Sequence, residues 1–279
     1  MEAVCQLCGH VGEMRLWSPR HRIVECPSCS LVFYEGEIDP ASFYNGQYFC
    51  GGEYFDYLGD EKVLRRNFAR RVNELRQLLP SGRLLEIGSA FGFFLEEAKN
   101  YYDVRGLDIS QEAVARCVRQ GLNVQQTDFL SLPEEPDTYD IICLWDTIEH
   151  LPRPFDALAK AARWLKPSGF LCLTTGDVRS RMAKLQKERW RQIHPPTHLF
   201  YFSKTTLSRA LTKAGLEICR ISYPGISRSL LFMVHKIALR KGWPPWFCTL
   251  LTAGGSINFS IYLNTFDLLS VVAKKPGSQ

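Results

Sequence analysis

The chain has 279 residues, of which 46% are hydrophobic and 23% charged, so its composition is that of a globular protein and excludes a disordered one. The formal net charge of +5 permits an anionic partner but does not require nucleic acid. The first residues lack the basic stretch and apolar core of a secretory signal, and no apolar run predicts a membrane span. We therefore expect a cytoplasmic protein with one domain of ordinary size and a smaller attachment.

Two pairs of cysteines, Cys5 with Cys8 and Cys26 with Cys29, dominate the beginning of the chain. Their C-x2-C-x17-C-x2-C spacing is typical of a zinc site in which four thiolates surround the ion. Because four cysteines leave no open position on the metal, we predict a structural Zn²⁺ in a zinc ribbon over residues 1–36. A contact between this ribbon and a substrate or partner stays open.

Residues 37–80 follow the ribbon, and their first part is rich in glycine and aromatic side chains. Two interpretations stay open for these rings: a lid over a ligand, or packing of the ribbon against the main domain. From Leu64 to Leu79 apolar residues recur at three-to-four spacing, which predicts an amphipathic helix. Its arginines are predicted to form a solvated face: Arg65, Arg66, Arg70, Arg71 and Arg76.

A glycine-rich turn follows at Glu86-Ile-Gly-Ser-Ala-Phe-Gly92, after a buried run that reads as a strand. Glycine lets the backbone approach a ligand where a Cβ atom would collide with it. Asp108 ends the next predicted strand, 20 residues after Gly88. An acidic side chain at that separation reaches the ribose of a nucleoside in a doubly wound fold, so we predict a cofactor that contains adenosine.

Strand-like and helix-like segments alternate over residues 81–279, which predicts a mostly parallel sheet of seven strands with helices on both faces. Ligands bind such a sheet at the carboxyl ends of its strands. The predicted strands are Leu84–Ile87, Val104–Asp108, Asn123–Gln126, Tyr139–Leu144, Phe170–Thr174, Leu216–Ile221 and Leu268–Ala273. The predicted helices are Phe93–Asn100, Gln111–Gln120, Pro154–Leu165 and Lys204–Ala214.

Several segments in this order resemble class I S-adenosylmethionine-dependent methyltransferases, which have a Rossmann-like α/β fold. The chain is most similar to a bacterial subgroup with a cysteine zinc ribbon before the catalytic domain. The resemblance covers about residues 40 to 275. Its segments are Leu84–Leu95, Gly106–Ser110, Asp140–Leu151, Leu165–Leu171, His198–Ser203 and Leu211–Leu216.

The resemblance implies that S-adenosyl-L-methionine is the cofactor and that nine positions bind it. The turn residues surround its amino-acid part, Asp108 with Ile109 binds the ribose end, Asp128 with Phe129 faces the adenine, and Asp146 lies near the methionine end. The turn departs from the family at Ala90, where glycine is commoner and where a Cβ atom crowds the turn. The complete set is Glu86, Gly88, Ala90, Gly92, Asp108, Ile109, Asp128, Phe129 and Asp146.

A hydroxyl or acidic carbon that accepts a methyl group also needs a base, and histidine has a suitable pKa. His150 follows the fourth predicted strand and is a candidate base. Its alternative role is to form a hydrogen bond with the backbone or with the cofactor. His194 and His198 lie in a loop that covers substrate in this architecture, with His198 the preferred base and Tyr201 in support. No spacing in the chain indicates a second metal site or a nucleophilic triad.

Residues 224–265 form an insert before the last strand, with an apolar stretch, basic ends and two tryptophans. Docking of 228–262 on the inner membrane face, a substrate lid, a dimer contact and plain packing all stay open.

The sequence thus predicts a methyltransferase for a small molecule, with a sugar, nucleotide-sugar, polysaccharide or lipid-linked precursor as the acceptor by analogy with the ribbon-bearing subgroup. An RNA methyltransferase is an alternative, and the mild charge disfavours a nucleic-acid partner. A protein that binds the cofactor without catalysis is the other alternative.

Overall fold

The computed structural model describes residues 3–36, 60–229 and 260–277. The predicted aromatic lid and most of the predicted insert lie outside the described residues. The same holds for the two tryptophans of the insert and for any membrane or dimer contact through them. Within the described parts, no helix has both the length and the apolar character needed to cross a bilayer.

A seven-stranded sheet forms the centre of the molecule, with the strand order β12-β15-β10-β9-β6-β7-β8. The five strands from β10 to β8 run parallel, whereas β15 runs antiparallel to both of its neighbours. This architecture confirms the predicted doubly wound fold. The strands are β6 (Arg83–Ile87), β7 (Asp103–Asp108), β8 (Val124–Gln126), β9 (Tyr139–Trp145), β10 (Leu165–Gly176), β12 (Glu217–Ser222) and β15 (Leu268–Lys274).

Helices cover both faces of this sheet. Alternate residues of one strand enter different cores: Ile141 and Cys143 pack in one, Ile142 and Leu144 in the other. Both faces are therefore buried, which explains why the strands read as continuous apolar runs in the sequence. The helices are α1 (Glu61–Leu78), α2 (Phe93–Ala98), α3 (Gln111–Arg119), α4 (Pro154–Trp164), α5 (Arg181–Gln186) and α6 (Lys204–Lys213).

Three of these helices begin at side-chain caps that the sequence encodes, and at α5 the Ser180 hydroxyl accepts from the Ala183 amide at 3.0 Å. The Ser110 hydroxyl accepts a hydrogen bond from the Ala113 amide at the start of α3. Ser203 and Thr206 form a reciprocal capping box at the start of α6. Such caps satisfy amides that have no partner within the helix, so they fix where each helix begins.

The cysteine-bearing segment forms short strands that join the main sheet domain through backbone pairing. Strands β3 (Arg15–Ser18), β4 (Ile23–Glu25) and β5 (Val32–Tyr34) are antiparallel, and β11 (Phe200–Tyr201) pairs with β5. Strands β1 (Ala3–Val4) and β2 (Val11–Gly12) form a separate pair. Leu7 and Leu31 are buried in the same core as the main sheet. The predicted boundary after residue 36 stays a prediction.

A short hairpin connects the two ends of the insert to helix α1. Its strands are β13 (Ile226–Ser229) and β14 (Ser260–Leu263). The Asn67 side chain donates to the Ser227 carbonyl at 3.0 Å and accepts from the Ser227 amide at 2.8 Å. These two bonds fix the hairpin beside α1, so the insert begins and ends next to the cleft described below.

Candidate functional site

The turn between β6 and α2 adopts the left-handed conformations that its glycines permit. Gly88 and Gly92 both have φ of 78°, and Ala90 has φ of 45°. A Cβ atom at position 88 would lie 2.6 Å from the Thr147 side chain, so the close approach requires glycine there. Ala90 tolerates its left-handed conformation at a cost of about 1 to 2 kcal/mol.

The Asp108 carboxylate holds this turn in place from the end of β7. One oxygen accepts from the Ala90 amide at 2.7 Å and the other from the Ser110 amide at 2.8 Å. Burial raises the pKa of Asp108, while these backbone hydrogen bonds act in the opposite direction. Each carboxylate oxygen retains a second lone pair, so the group can also accept from a ribose diol.

The turn opens into a cleft of about 910 Å³, counting solvent at its mouth, along the carboxyl ends of β6, β7, β8 and β9. Gly92 does not line the cleft and instead begins helix α2. The other predicted cofactor residues do line it: Glu86, Gly88, Ala90, Asp108, Ile109, Asp128, Phe129 and Asp146.

Glu86 lies at the inner end of this cleft and is only 2% exposed. Burial raises its pKa well above the ordinary value, and the positive charge of Arg71 opposes that shift. Among the described residues its Oε2 atom has no hydrogen-bond partner. A buried oxygen without a hydrogen-bond partner destabilises the folded state. The position next to the Glu86 Oε2 atom is therefore suited to a hydrogen-bond donor from a ligand.

A buried lysine, which the sequence analysis did not identify, supports the opposite end of the cleft. Lys160 on α4 donates to the carbonyls of Phe129 at 3.0 Å and Leu130 at 3.3 Å, and also to that of Leu132. Its ammonium lies beside the rings of both Phe129 and Trp164, 5.2 and 5.1 Å from their centroids. These contacts fix the turn that carries Asp128 and Phe129.

Asp146 ends β9 beside helix α1 and is held on two sides. Its Oδ1 accepts from the Thr174 hydroxyl at 3.0 Å, and its Oδ2 lies 3.5 Å from Arg71 Nη2. The Arg71 guanidinium also lies 4.6 Å from the Trp145 ring. The prediction that the arginines of α1 are all solvated is therefore wrong for Arg71, because its side chain is only 15% exposed.

Three histidines from two segments far apart in the sequence come together, and of the three His150 is the one that lines the cleft. The ring centroids of His150 and His198 are 4.5 Å apart, and those of His194 and His198 are 5.4 Å apart. His150 lines the cleft, and its Nδ1 atom is 2.9 Å from the Thr197 carbonyl oxygen. His198 is buried, whereas His194 is exposed. The buried Tyr201 donates its hydroxyl to the His198 carbonyl at 3.0 Å, which holds the backbone of this loop.

Glu149 completes this group and was not identified from the sequence. It is 2% exposed, and burial raises its pKa to about 7, with the charge of His198 opposing the shift. Its Oε2 atom has no hydrogen-bond partner within the described residues. A carboxylate oxygen of Glu149 and one ring nitrogen each of His150 and His198 all lie within 4.8 Å of one another. The only signal in the sequence is its position directly before His150.

The four cysteines of the N-terminal segment come together as their spacing predicts. The Sγ atoms of Cys5 and Cys29 are 3.5 Å apart, and those of Cys8 and Cys26 are 3.6 Å apart. Sulfurs at about 2.3 Å from a tetrahedral zinc ion are separated by about 3.8 Å, so this arrangement fits the metal.

Comparisons with known proteins agree with this geometry. Residues 60–221 match a family described as "Methyltransferase domain". The ubiquinone biosynthesis O-methyltransferase of Aliivibrio fischeri (strain MJ11) is 30% identical over 149 residues, which are 50% of this chain and 63% of that protein. The match thus spans less than two thirds of the length of that relative.

Solved structures of the same fold show much lower identity. An S-adenosylmethionine dependent methyltransferase from Mesorhizobium loti is 16% identical with a TM-score of 0.51, over 73% of this chain and 96% of that one. The YcgJ protein from Bacillus subtilis is 17% identical with a TM-score of 0.54, over 76% of this chain and 99% of that one. The family match covers more than half of the 279 residues, and the chain therefore belongs to the methyltransferase-domain family.

Proposed function

We propose that the chain is an S-adenosylmethionine-dependent methyltransferase that acts on a small molecule. The observation that carries this proposal is the cleft in which Asp108 fixes the glycine turn at the carboxyl edge of the sheet. When bound, the cofactor supplies a methyl group already activated by its sulfonium, so no protein nucleophile is needed. The residues of the chain bind the cofactor, align the acceptor and remove its proton.

Each cofactor-binding residue has a role that its position supports. Asp108 accepts hydrogen bonds from the ribose hydroxyls, and Ile109 lies beside it in the cleft. Asp128 and Phe129 bind the adenine on the turn that Lys160 holds. The amino-acid part of the cofactor lies among Glu86, the turn at Gly88 and Ala90, and Asp146, while Gly92 shapes this turn from the start of α2.

The histidine group supplies the base. His198 accepts the proton of the acceptor on a ring nitrogen, and Glu149 stabilises the charge that then develops on the imidazole. His150 lines the cleft and contacts the acceptor or the cofactor. The exposed His194 contacts the acceptor from the outer side, and Tyr201 positions the loop.

The acceptor is a small molecule with a hydroxyl group. The O-methyltransferase relatives favour an oxygen acceptor. The resemblance to the ribbon-bearing subgroup favours a sugar, a nucleotide-sugar, a polysaccharide end or a lipid-linked precursor. The ribbon holds a structural Zn²⁺ through Cys5, Cys8, Cys26 and Cys29.

Calorimetry with S-adenosylhomocysteine on zinc-loaded protein tests the cofactor site. We expect Asp108→Ala to weaken binding by about 100-fold, because two hydrogen bonds to a charged group contribute about 3 kcal/mol together. Asp103→Ala is the matched control, because Asp103 begins the same strand and its side chain is 73% exposed. We expect it to change binding less than about twofold.

Two results would contradict the proposal. Absence of S-adenosylhomocysteine binding by the folded wild-type chain would remove the cofactor site, and equal binding by Asp108→Ala would remove the assigned residue. Transfer of labelled methyl groups to fractions of a cell extract tests catalysis separately. Tight binding without transfer to any fraction would favour the non-catalytic alternative, and transfer to RNA with steep salt dependence would favour the RNA methyltransferase.

A further inference from the structure

A second and larger cleft lies between the N-terminal ribbon and the segment that follows β10. It encloses about 1700 Å³ including solvent at its mouth. Trp17 and Arg20 line it from the ribbon, and α5 with the turn after it lines the other side. The basic residues of the lining are Arg20, Arg179, Lys184, Lys187 and Arg189.

Of the two carboxylates at this cleft, Glu25 forms an ion pair, whereas the acidic Glu188 lines the cleft beside the cations and is hydrogen-bonded rather than ion-paired. Glu25 pairs with Arg179 at 2.6 Å, and Glu188 accepts from the Ser18 hydroxyl at 2.7 Å. Within the described part of the chain, no carboxylate lies within ion-pair distance of Arg20, Lys184, Lys187 or Arg189. All four of these side chains are exposed, so the cleft presents a concentrated positive charge to solvent.

The residues that line the cleft are anchored by a buried hydrophobic cluster. Ala183 and Trp190, on either side of the basic turn, are buried in one cluster with Ile23 and Val32 of the ribbon. The Trp190 indole also donates to Asp267 at 2.8 Å. Lys187 has φ of 49°, a left-handed conformation that costs a residue other than glycine about 1 kcal/mol or more. A fixed base holds these cations close together without a ligand.

The cleft and the histidine group share one stretch of chain at one edge of the sheet. Val178 lines the cleft directly after the end of β10, which pairs with β9, the strand that ends beside Asp146. The segment from Trp190 then runs to His194 and His198. Tyr201, whose hydroxyl donates to the His198 carbonyl, is buried in the same cluster as Val178, Ala183 and Trp190 of the cleft side. The histidine loop and the cleft therefore pack on one cluster, and an acceptor that reaches both has to extend past it.

We propose that this cleft binds the phosphate or pyrophosphate group of the methyl acceptor, an inference that rests on the function proposed above. Guanidinium groups bind phosphate oxygens through paired N–H donors, and lysines add point charges. Trp17 offers an aromatic face for a group attached to the phosphate. Among the proposed acceptors this selects a nucleotide-sugar or a phosphate-bearing lipid-linked precursor over an uncharged sugar.

A cleft of this shape fits a compact anion better than a nucleic acid or a membrane. Arg20 lines the cleft from the ribbon and the other cations line it from the segment that follows β10, whereas nucleic acid and anionic bilayers need a stripe or plane of exposed charge. The small net charge of +5 agrees with an attraction for anions that is confined to the cleft and not spread over the whole protein surface.

Calorimetry with inorganic pyrophosphate tests the cleft directly. We expect the wild-type chain to bind it and the double variant Lys184→Glu with Arg189→Glu to bind it at least about tenfold more weakly, because repulsion replaces two charge-assisted contacts. The matched control is Lys99→Glu with Arg119→Glu, which changes the net charge equally at two exposed positions outside the cleft. We expect the control to bind pyrophosphate as the wild type does at about 0.15 M salt.

Further measurements distinguish a pyrophosphate site from binding of RNA or of anionic membranes. Absence of pyrophosphate binding, or an equal loss in both double variants, would overturn the proposal. Binding of an RNA oligonucleotide or of anionic vesicles that the cleft variant loses, without pyrophosphate binding, would also overturn it. S-adenosylhomocysteine binding is measured on the wild type and on both double variants, so failure of the proposed function is distinguished from loss of this subsite alone. A phosphate-bearing acceptor should then show a raised KM with the cleft variant and a kcat close to that of the control variant.

Discussion

Replacement of Glu149 by glutamine tests whether ionisation of this buried carboxyl, beside His198, lowers the free energy of unfolding. Glutamine has the shape of the protonated acid but cannot acquire its charge. Burial raises the pKa of Glu149 from 4.5 to about 7, so the folded state holds this proton more tightly than the unfolded state does. Asp146 adds to that shift, while His198 and the Thr175 hydroxyl oppose it.

The sign of the effect follows from these two pKa values. Below about pH 4.5 both states keep the proton, and the group does not lower stability. As the pH rises to about 7 the unfolded state loses the proton first, so the free energy of unfolding falls. Above about pH 7 the loss is constant, at about 3 kcal/mol, since each pKa unit corresponds to about 1.4 kcal/mol.

Urea denaturation of the wild type and Glu149→Gln between about pH 5 and about pH 8 measures this difference. We expect the variant to gain stability relative to the wild type as the pH rises, by about 2 to 3 kcal/mol across the range. Zinc loss at low pH affects both proteins equally and cancels in the comparison. A difference that is independent of pH would refute the argument, and a difference that falls with rising pH would reverse the sign of the shift. If Glu149 supports His198, the variant also loses methyl-transfer rate despite its greater stability.

Three further predictions concern other parts of the structure. Lys160→Met should weaken S-adenosylhomocysteine binding about tenfold in calorimetry and lower the free energy of unfolding by about 2 kcal/mol, because buried carbonyls lose their donor. Equal affinity would contradict that role. Gly88→Ala should abolish this binding, because its Cβ would meet Thr147 at 2.6 Å, whereas Gly121→Ala, also at positive φ but in open space, should retain it. Cys26→Ser should lower the zinc content measured by atomic absorption and reduce the melting temperature, and an unchanged metal content would exclude the four-thiolate site.

The structure also shows where short-range patterns are insufficient. Apart from the two pairs, the cysteines are scattered, and in a chain without an export signal such cysteines are predicted to be buried, reduced thiols. Cys117, Cys143 and Cys172 are buried, whereas the prediction is wrong for Cys219, which is exposed on the edge strand β12. Edge position is a property of strand order, and strand order is not written in the spacing of neighbouring residues. The same reason explains why Arg71 is not solvated as predicted. A helical pattern shows which arginines share a face of the helix, but it does not show that Trp145 and Asp146 pack against one of them.

The sequence by itself determined the features that depend on local order along the chain. Paired cysteines, the glycine turn with Asp108, and the alternation of buried strands with helices each follow from spacing that a single segment encodes. Only the tertiary structure decided which distant groups meet. Glu149 and His198 approach each other because β9 and the loop before β11 end at one edge of the sheet, and Lys160 reaches Phe129 only because α4 packs beside it. Burial then sets the chemistry of those groups, since the free energy of a charge depends on its surroundings in space and not on its neighbours in sequence.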